Sequence, residues 1–152
     1  ATATATATAT GTGTATGTTG AITIGGTNAS QITLGKAQTN IFLGTQAAVA
    51  TRTTSLSVAT ATVVDSFATA TFRSCEYIVQ ITQGSSHQIT KILLVHDGTT
   101  VYLTEYGTVV TSGSTPIAPL DAVINGANVE LQITTGNTNA HTVKVTRTAI
   151  IV

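Results

Sequence analysis

Charge is what this sequence has least of. Asp, Glu, Lys and Arg make up 8% of its 152 residues, against about 25% in an ordinary soluble domain. Six basic and six acidic residues cancel, and no basic run or stripe occurs that could neutralise a phosphate backbone, so nucleic acid is not an expected partner. A single cysteine, Cys75, excludes an intrachain disulfide. Methionine is absent, which leads us to expect that at least the initiator has been removed. No apolar run approaches the ~20 residues of a membrane-spanning helix, and no charged segment leads into an apolar stretch as in a signal peptide, so membrane insertion is not expected either. Low charge often accompanies disorder, but disordered chains are poor in β-branched residues. This one is crowded with Thr, Val and Ile, which favour strands.

What is present is alternation. Residues 1–17 read ATATATATATGTGTATG, with Thr at every even position and only Ala or Gly between. A strand of that pattern carries hydroxyls on one face and almost nothing on the other. It has no large side chain whose burial could offset about 1–2 kcal/mol of backbone ordering per residue, so we expect residues 1–20 to be an extended assembly arm paired with other backbone, with Thr2, Thr4, Thr6, Thr8 and Thr10 on its polar face. Three units follow, AITIGGTNAS, QITLGKAQT and NIFLGTQAA, aligned on Ile22, Ile32 and Ile41, then on Ile24, Leu34 and Leu43, each closed by a glycine. We read residues 21–50 as a short β-repeat shaft. Its units have too few aliphatics to bury a face alone, so they are expected to stack or intertwine between chains.

Residues 51–71 keep the Thr, Ala and Val but lose that punctuation, and are read as a β connector of one or two strands. From Phe72 onward the tyrosines, histidines and most charges appear. Alternating runs at 75–83, 87–96, 99–107, 108–111, 128–134 and 141–152, with turn signals at Asp97-Gly98 and Asn125-Gly126, predict an antiparallel β-sandwich, jelly-roll-like, over residues 72–152. The fold class expected is all-β throughout.

Chemistry-bearing residues form no convincing constellation. Cys75, His87, His96 and Asp97 contain the types needed for a thiolate, a base and an orienting acid, but Cys75 falls on an apolar strand face with Tyr77, Val79 and Ile81, where a buried inert thiol is expected. His87, His96 and His141 have no partner at ligand spacing and are read as solvated residues at loop edges, so no metal and no cofactor is expected. LGKAQT resembles the end of a phosphate loop, but Ser30 stands where that loop needs glycine; Asn28-Ala29-Ser30 fits a glycosylation acceptor only by pattern. Glu76, Asp97, Glu105, Asp121 and Glu130 are scattered, as on the solvent faces of a sandwich. Tyr102 and Tyr106 are the candidate contacts to a cell-surface glycan, since an aromatic plate in polar surroundings suits a sugar.

The segments EYIVQITQGSSHQITKILLVHDGTTVYLTEYGTVVTSGS and NVELQITTGNTNAHTVKVTRTAI resemble a β-sandwich module near the C-termini of fibre-like virion proteins of tailed phages, particularly those of marine cyanobacteria. AITIGGTNASQITLGKAQTNIFLGT is similar to the repetitive β shafts ahead of such modules. The resemblance implies a non-enzymatic, self-associating subunit of a tail fibre or of a tail or capsid appendage, in contact with itself as a trimer or helical polymer and with other virion proteins. It would be located in the virion or an extracellular appendage. Two other readings stay open: a glycan-binding fibre tip, and a non-viral extracellular filament whose arm completes the next subunit's sheet.

Overall fold

The computed structural model describes residues 39–111 and 113–152; the arm and most of the shaft, with Thr2, Thr4, Thr6, Thr8, Thr10, Ile22, Ile24, Ile32 and Leu34, lie outside the described residues. Within them are nine strands and no helix: β1 Asn40–Leu43, β2 Ala47–Leu56, β3 Thr62–Ala68, β4 Phe72–Gln83, β5 Ser86–His96, β6 Val101–Val110, β7 Leu120–Asn125, β8 Asn128–Ile133 and β9 His141–Ile151. They form a six-stranded sheet, in the order β1-β2-β9-β4-β5-β6, and a three-stranded sheet, β3-β8-β7. Every pairing is antiparallel.

Alternation decides which side chains go inside. On β4, Cys75, Tyr77, Val79 and Ile81 are buried while Ile78 between them is exposed. On β9 the inward row is His141, Val143, Val145, Arg147 and Ala149, and on β8 it is Val129, Leu131 and Ile133. The two sheets close over these rows, and each fully buried Val, Leu or Ile contributes about 1.5–3 kcal/mol. Gly84 and Gly126 take positive φ, 57° and 59°, at the first position of the two-residue turns joining β4 to β5 and β7 to β8, where mirror-image turns need it.

Two differences from the sequence expectation come from bulges. Residues 99–107 and 108–111 were expected as separate strands, but Gly107, at φ 67°, lets Gly107 and Thr108 stand opposite the single residue Thr90. The ladder continues past this bulge as one strand, β6. On β3 the register shifts between Val63 and Asp65, so Val64 and Asp65, adjacent in sequence, are both buried. Residues 51–71, expected as a connector, supply most of β2 and all of β3, and these strands take places in both sheets.

The second bulge carries a charge inward. Asp65 Oδ1 accepts from Arg52 Nε at 2.5 Å, and its Oδ2 accepts from Arg147 Nη1 and from the Tyr77 hydroxyl at 3.1 Å. Arg52, Arg147 and Tyr77 belong to β2, β9 and β4 of the large sheet, whereas Asp65 belongs to the small one. Arg147 is 1% exposed. Its guanidinium also donates to the Ser66 carbonyl at 3.2 Å and to Asn40 Oδ1 at 2.8 Å, and it lies over the rings of Phe67 and Phe72 at 5.1 and 5.5 Å. Burying ions is costly, and the attraction offsets the cost only where most donors find partners; among the described residues Arg147 Nε alone of this cluster has none.

A polar side chain closes the other side of the core. Gln88 of β5 accepts the amides of Ile117 and Ala118 and donates to the Ala118 carbonyl, fastening the segment ahead of β7 against the large sheet. Removing the charge that joins the sheets leaves two arginines facing each other without a counterion. Asp65→Asn is therefore expected to lower the unfolding free energy by about 3–5 kcal/mol, measured by urea denaturation; a loss below about 1 kcal/mol would show that the sheets dock without this carboxylate.

Candidate functional site

The small sheet covers only one face of the large one, so the outward rows of the six strands remain open. Register aligns two of these rows across the whole sheet. One runs Leu43, Ala47, Ile150, Ser74, Val95, Tyr102; the next runs Ile41, Val49, Thr148, Glu76, Leu93, Thr104. Leu93, Val95 and Ile150 are 49%, 44% and 49% exposed, which makes this an apolar belt with polar groups set into it. A groove of about 610 Å³ lies along it, lined among others by Ser74, Glu76, Leu93, Val95, Tyr102, Thr104, Thr148 and Ile150.

Tyr102 and Tyr106 stand on the same face of β6, 56% and 41% exposed, with Cα atoms about 13 Å apart along the strand. Each ring is held by a carboxylate. The Tyr102 hydroxyl donates to Asp97 Oδ2 at 3.2 Å, and that of Tyr106 donates to Glu76 Oε1 at 2.9 Å. Lys91 Nζ lies 2.6 Å from the same Glu76 oxygen and 5.7 Å from the Tyr106 ring centre. Tyr102 lines the groove itself; Tyr106 is attached to its wall through Glu76.

The electrostatics follow from these contacts. The Lys91 ammonium, and then the Tyr106 hydroxyl, hold the Glu76 carboxyl below its ordinary range, and Glu76 in turn raises both partners. Asp97 sits in the β5-β6 turn, where its Oδ1 accepts from the amides of Thr99 and Thr100 and the hydroxyl of Thr99, each at 2.8 Å. The Thr99 amide first, then that of Thr100, holds its carboxyl far below the usual carboxylate range. Both acids are therefore charged at neutral pH and act as hydrogen-bond acceptors beside aromatic rings. Such an arrangement can seat a sugar ring against tyrosine and receive its hydroxyls.

Glu76 and Asp97, read from sequence as scattered solvent carboxylates, are thus brought to the tyrosines. For Asp97 the signal was present, since the Asp-Gly turn necessarily returns the chain so that Tyr102 lies close by. For Glu76 it was not, because its link to Tyr106 runs across β5 by register. Ile41 and Leu43, expected on an assembly face, lie on the outward rows of the edge strand β1, in line with the groove. Phe42 between them leans on Phe72 at 6.4 Å.

The remaining candidates separate. Cys75 is on the inward face, and burial pushes its thiol up to about 12. His87 lies nine residues from His96 on β5, about 30 Å in an extended strand, and the Asp97 carboxylate is turned to Thr99, Thr100 and Tyr102 in an exposed turn, so the cysteine, histidines and acid do not assemble. His96 and His141 are buried rather than solvated: both occupy inward positions at strand ends, where His96 Nε2 bonds the Phe72 carbonyl at 2.7 Å and His141 Nδ1 the Asn139 carbonyl at 2.6 Å. Among the described residues no group of three or more His, Cys, Asp or Glu could hold a metal ion, and no helix is long and apolar enough to cross a membrane.

No known family model matches the sequence, and no curated protein is significantly similar to it. Solved structures similar to it include tailspike proteins of phages. The tailspike protein of Acinetobacter baumannii phage AM24 matches 67% of this chain at 15% identity with a TM-score of 0.40. A tailspike of Acinetobacter baumannii bacteriophage Fri1, a capsular polysaccharide depolymerase, matches 72% at 15% identity and 0.42. The tailspike of Acinetobacter phage vB_ApiP_P1 matches 78% at 14% identity and 0.37. The chain spans 26%, 19% and 24% of the length of these three tailspikes. The expectation of a protein without enzymatic activity is corrected by this finding, because the Fri1 tailspike is an enzyme.

The Asp97 turn sets a pH dependence. A carboxyl whose folded pKa is depressed contributes stability above its unfolded pKa and loses it as pH falls through the folded one. The melting temperature should therefore decline as pH drops below the ordinary Asp range, about 4, and Asp97→Asn should flatten part of that decline in a thermal-melt series. An unchanged profile in the variant would show that the turn is held by its backbone alone.

Proposed function

We propose that this chain is a self-associating subunit of a bacteriophage tail appendage, and that the open face of its six-stranded sheet binds a glycan of the bacterial surface. The observation that carries the binding role is the pair Tyr102 and Tyr106, exposed on one strand face, each hydroxyl tied to a carboxylate beside an apolar groove. Exposed tyrosines on a sandwich need no such fixing for packing; a ring held in place loses less freedom when a ligand lands on it. The appendage role is supported by the resemblance of residues 72–152 to fibre-like virion modules. In this reading the arm 1–20 and the shaft 21–50 join copies of the chain, as a trimer or a helical polymer.

Binding is testable with the full chain on an array of bacterial surface polysaccharides. Tyr102→Ala combined with Tyr106→Ala is expected to reduce binding at least tenfold with circular dichroism and oligomeric state unchanged. Loss of assembly without a specific loss of binding would remove the glycan role. Release of soluble oligosaccharide should be followed in the same experiment, since one of the similar tailspikes is a depolymerase.

A filament joined by strand addition is the second reading, favoured by the edges of the large sheet. β6, ten residues long, has no strand partner on its outer side among the described residues, and β1 has none on the opposite edge. Such edges are templates for pairing. Deleting residues 1–20 is expected to abolish polymerisation, observed by electron microscopy and sedimentation; a truncated chain that still polymerises would show that the arm is not the connector.

A further inference from the structure

We infer, on the basis of the glycan reading above, that the ligand of this face is an uncharged glycan, built of units that pair hydroxyl or amide donors with a methyl or C–H-rich face, and that acidic sugars are rejected. The first argument is hydrogen-bond inventory. Both tyrosine hydroxyls spend their proton on a carboxylate, so each offers a ligand only lone pairs. Among the described residues, Asp97 Oδ2 has the Tyr102 hydroxyl as its one donor and nothing donates to Glu76 Oε2. The groove thus accepts far more readily than it donates, and only hydroxyls such as those of Thr104 and Thr148 can do both.

Charge leads to the same conclusion. Lys91, the cation nearest the two rings, is bound to Glu76. Arg73, half-buried next to Ser74, donates to the His96 carbonyl at 3.3 Å. Around the two rings the carboxylates Glu76 and Asp97 outnumber Lys91, and Lys144, on the same outward rows, lies about 13 Å along β9 from Thr148. A uronate or sialate carboxylate seated against the two rings would meet the Glu76 and Asp97 carboxylates that hold them, while losing its own hydration. The third argument is the floor. Leu93 and Val95 lie beside Tyr102 on the neighbouring strand and Ile150 two strands beyond them; all three are nearly half exposed and line the groove, a surface that suits the C–H face of a pyranose, the methyl of a 6-deoxy sugar or that of an N-acetyl group.

The test uses the full chain on an oligosaccharide array divided between neutral probes, carrying N-acetylhexosamine or 6-deoxyhexose, and acidic probes, carrying galacturonate or sialate. Neutral probes should be preferred by at least about tenfold in dissociation constant, with little change between low and physiological salt because no ion pair is formed. Thr104→Lys, which places a cation on the exposed groove wall, should raise affinity for trigalacturonate at least about tenfold. Tyr102→Phe keeps the ring and frees Asp97 Oδ2, and should retain the neutral preference. Tight, salt-sensitive binding of acidic probes that disappears in Tyr102→Ala would overturn this inference and leave the glycan reading standing. Absence of binding to every probe on the array would overturn both.

Discussion

One buried carboxylate, Asp65, determines how the two sheets meet. The chain has three charged residues in its first 72 positions, Lys36, Arg52 and Asp65, and two of them are used in the core. Asp65 reaches Arg52, Arg147 and Tyr77 on three strands of the opposite sheet. An apolar side chain at this point would slide among its neighbours at little cost. A carboxylate between two guanidiniums has one satisfactory position, because any shift leaves an ion without its partner in a medium that solvates it poorly. The bulge at Val64 is what turns that residue and Asp65 inward together, and Arg147 stands between Val145 and Ala149 in the inward row of β9 to meet it.

From this docking follows the asymmetry of the molecule. Three strands cannot cover both sides of six, so the large sheet buries its inner rows and leaves the outer ones to solvent. A sheet face exposed in this way normally carries polar side chains. Here it carries Leu93, Val95, Ile150 and two tyrosines, in a chain too poor in charge to solvate such a belt with lysine and glutamate. The charges beside the groove, Glu76, Lys91 and Asp97, are all engaged in holding the aromatic rings or the turn beside them. A face that is apolar, open and locally rigid is suited to contact with something else, and the groove gives that contact a defined place.

Much of the fold was legible along the chain. The alternation of Cys75, Tyr77, Val79 and Ile81 marked an inward face, and the Asp97-Gly98 and Asn125-Gly126 pairs marked hairpins, because strand period and turn geometry are properties of a few consecutive residues. The continuity of β6 was hidden, since a glycine that ends a strand and a glycine that makes a bulge read alike. The burial of His96 and His141 was hidden too: position beside a turn says nothing about which way a strand end points.

The sequence by itself determined that the chain is all-β, that its tyrosines and histidines all follow Phe72, and that Tyr102 and Tyr106 share one face of a strand, since each of these depends only on composition or local period. Only the tertiary structure decided that Asp65 would be shared by two arginines 13 positions before it and 82 after it, that β2 and β3 would join the sandwich, and that Glu76 would fix the Tyr106 ring across β5. Those relations depend on which strands lie side by side and in what register, and register follows from the face each strand must bury together with the turns that join it to its partners, so it exists only once the strands are paired.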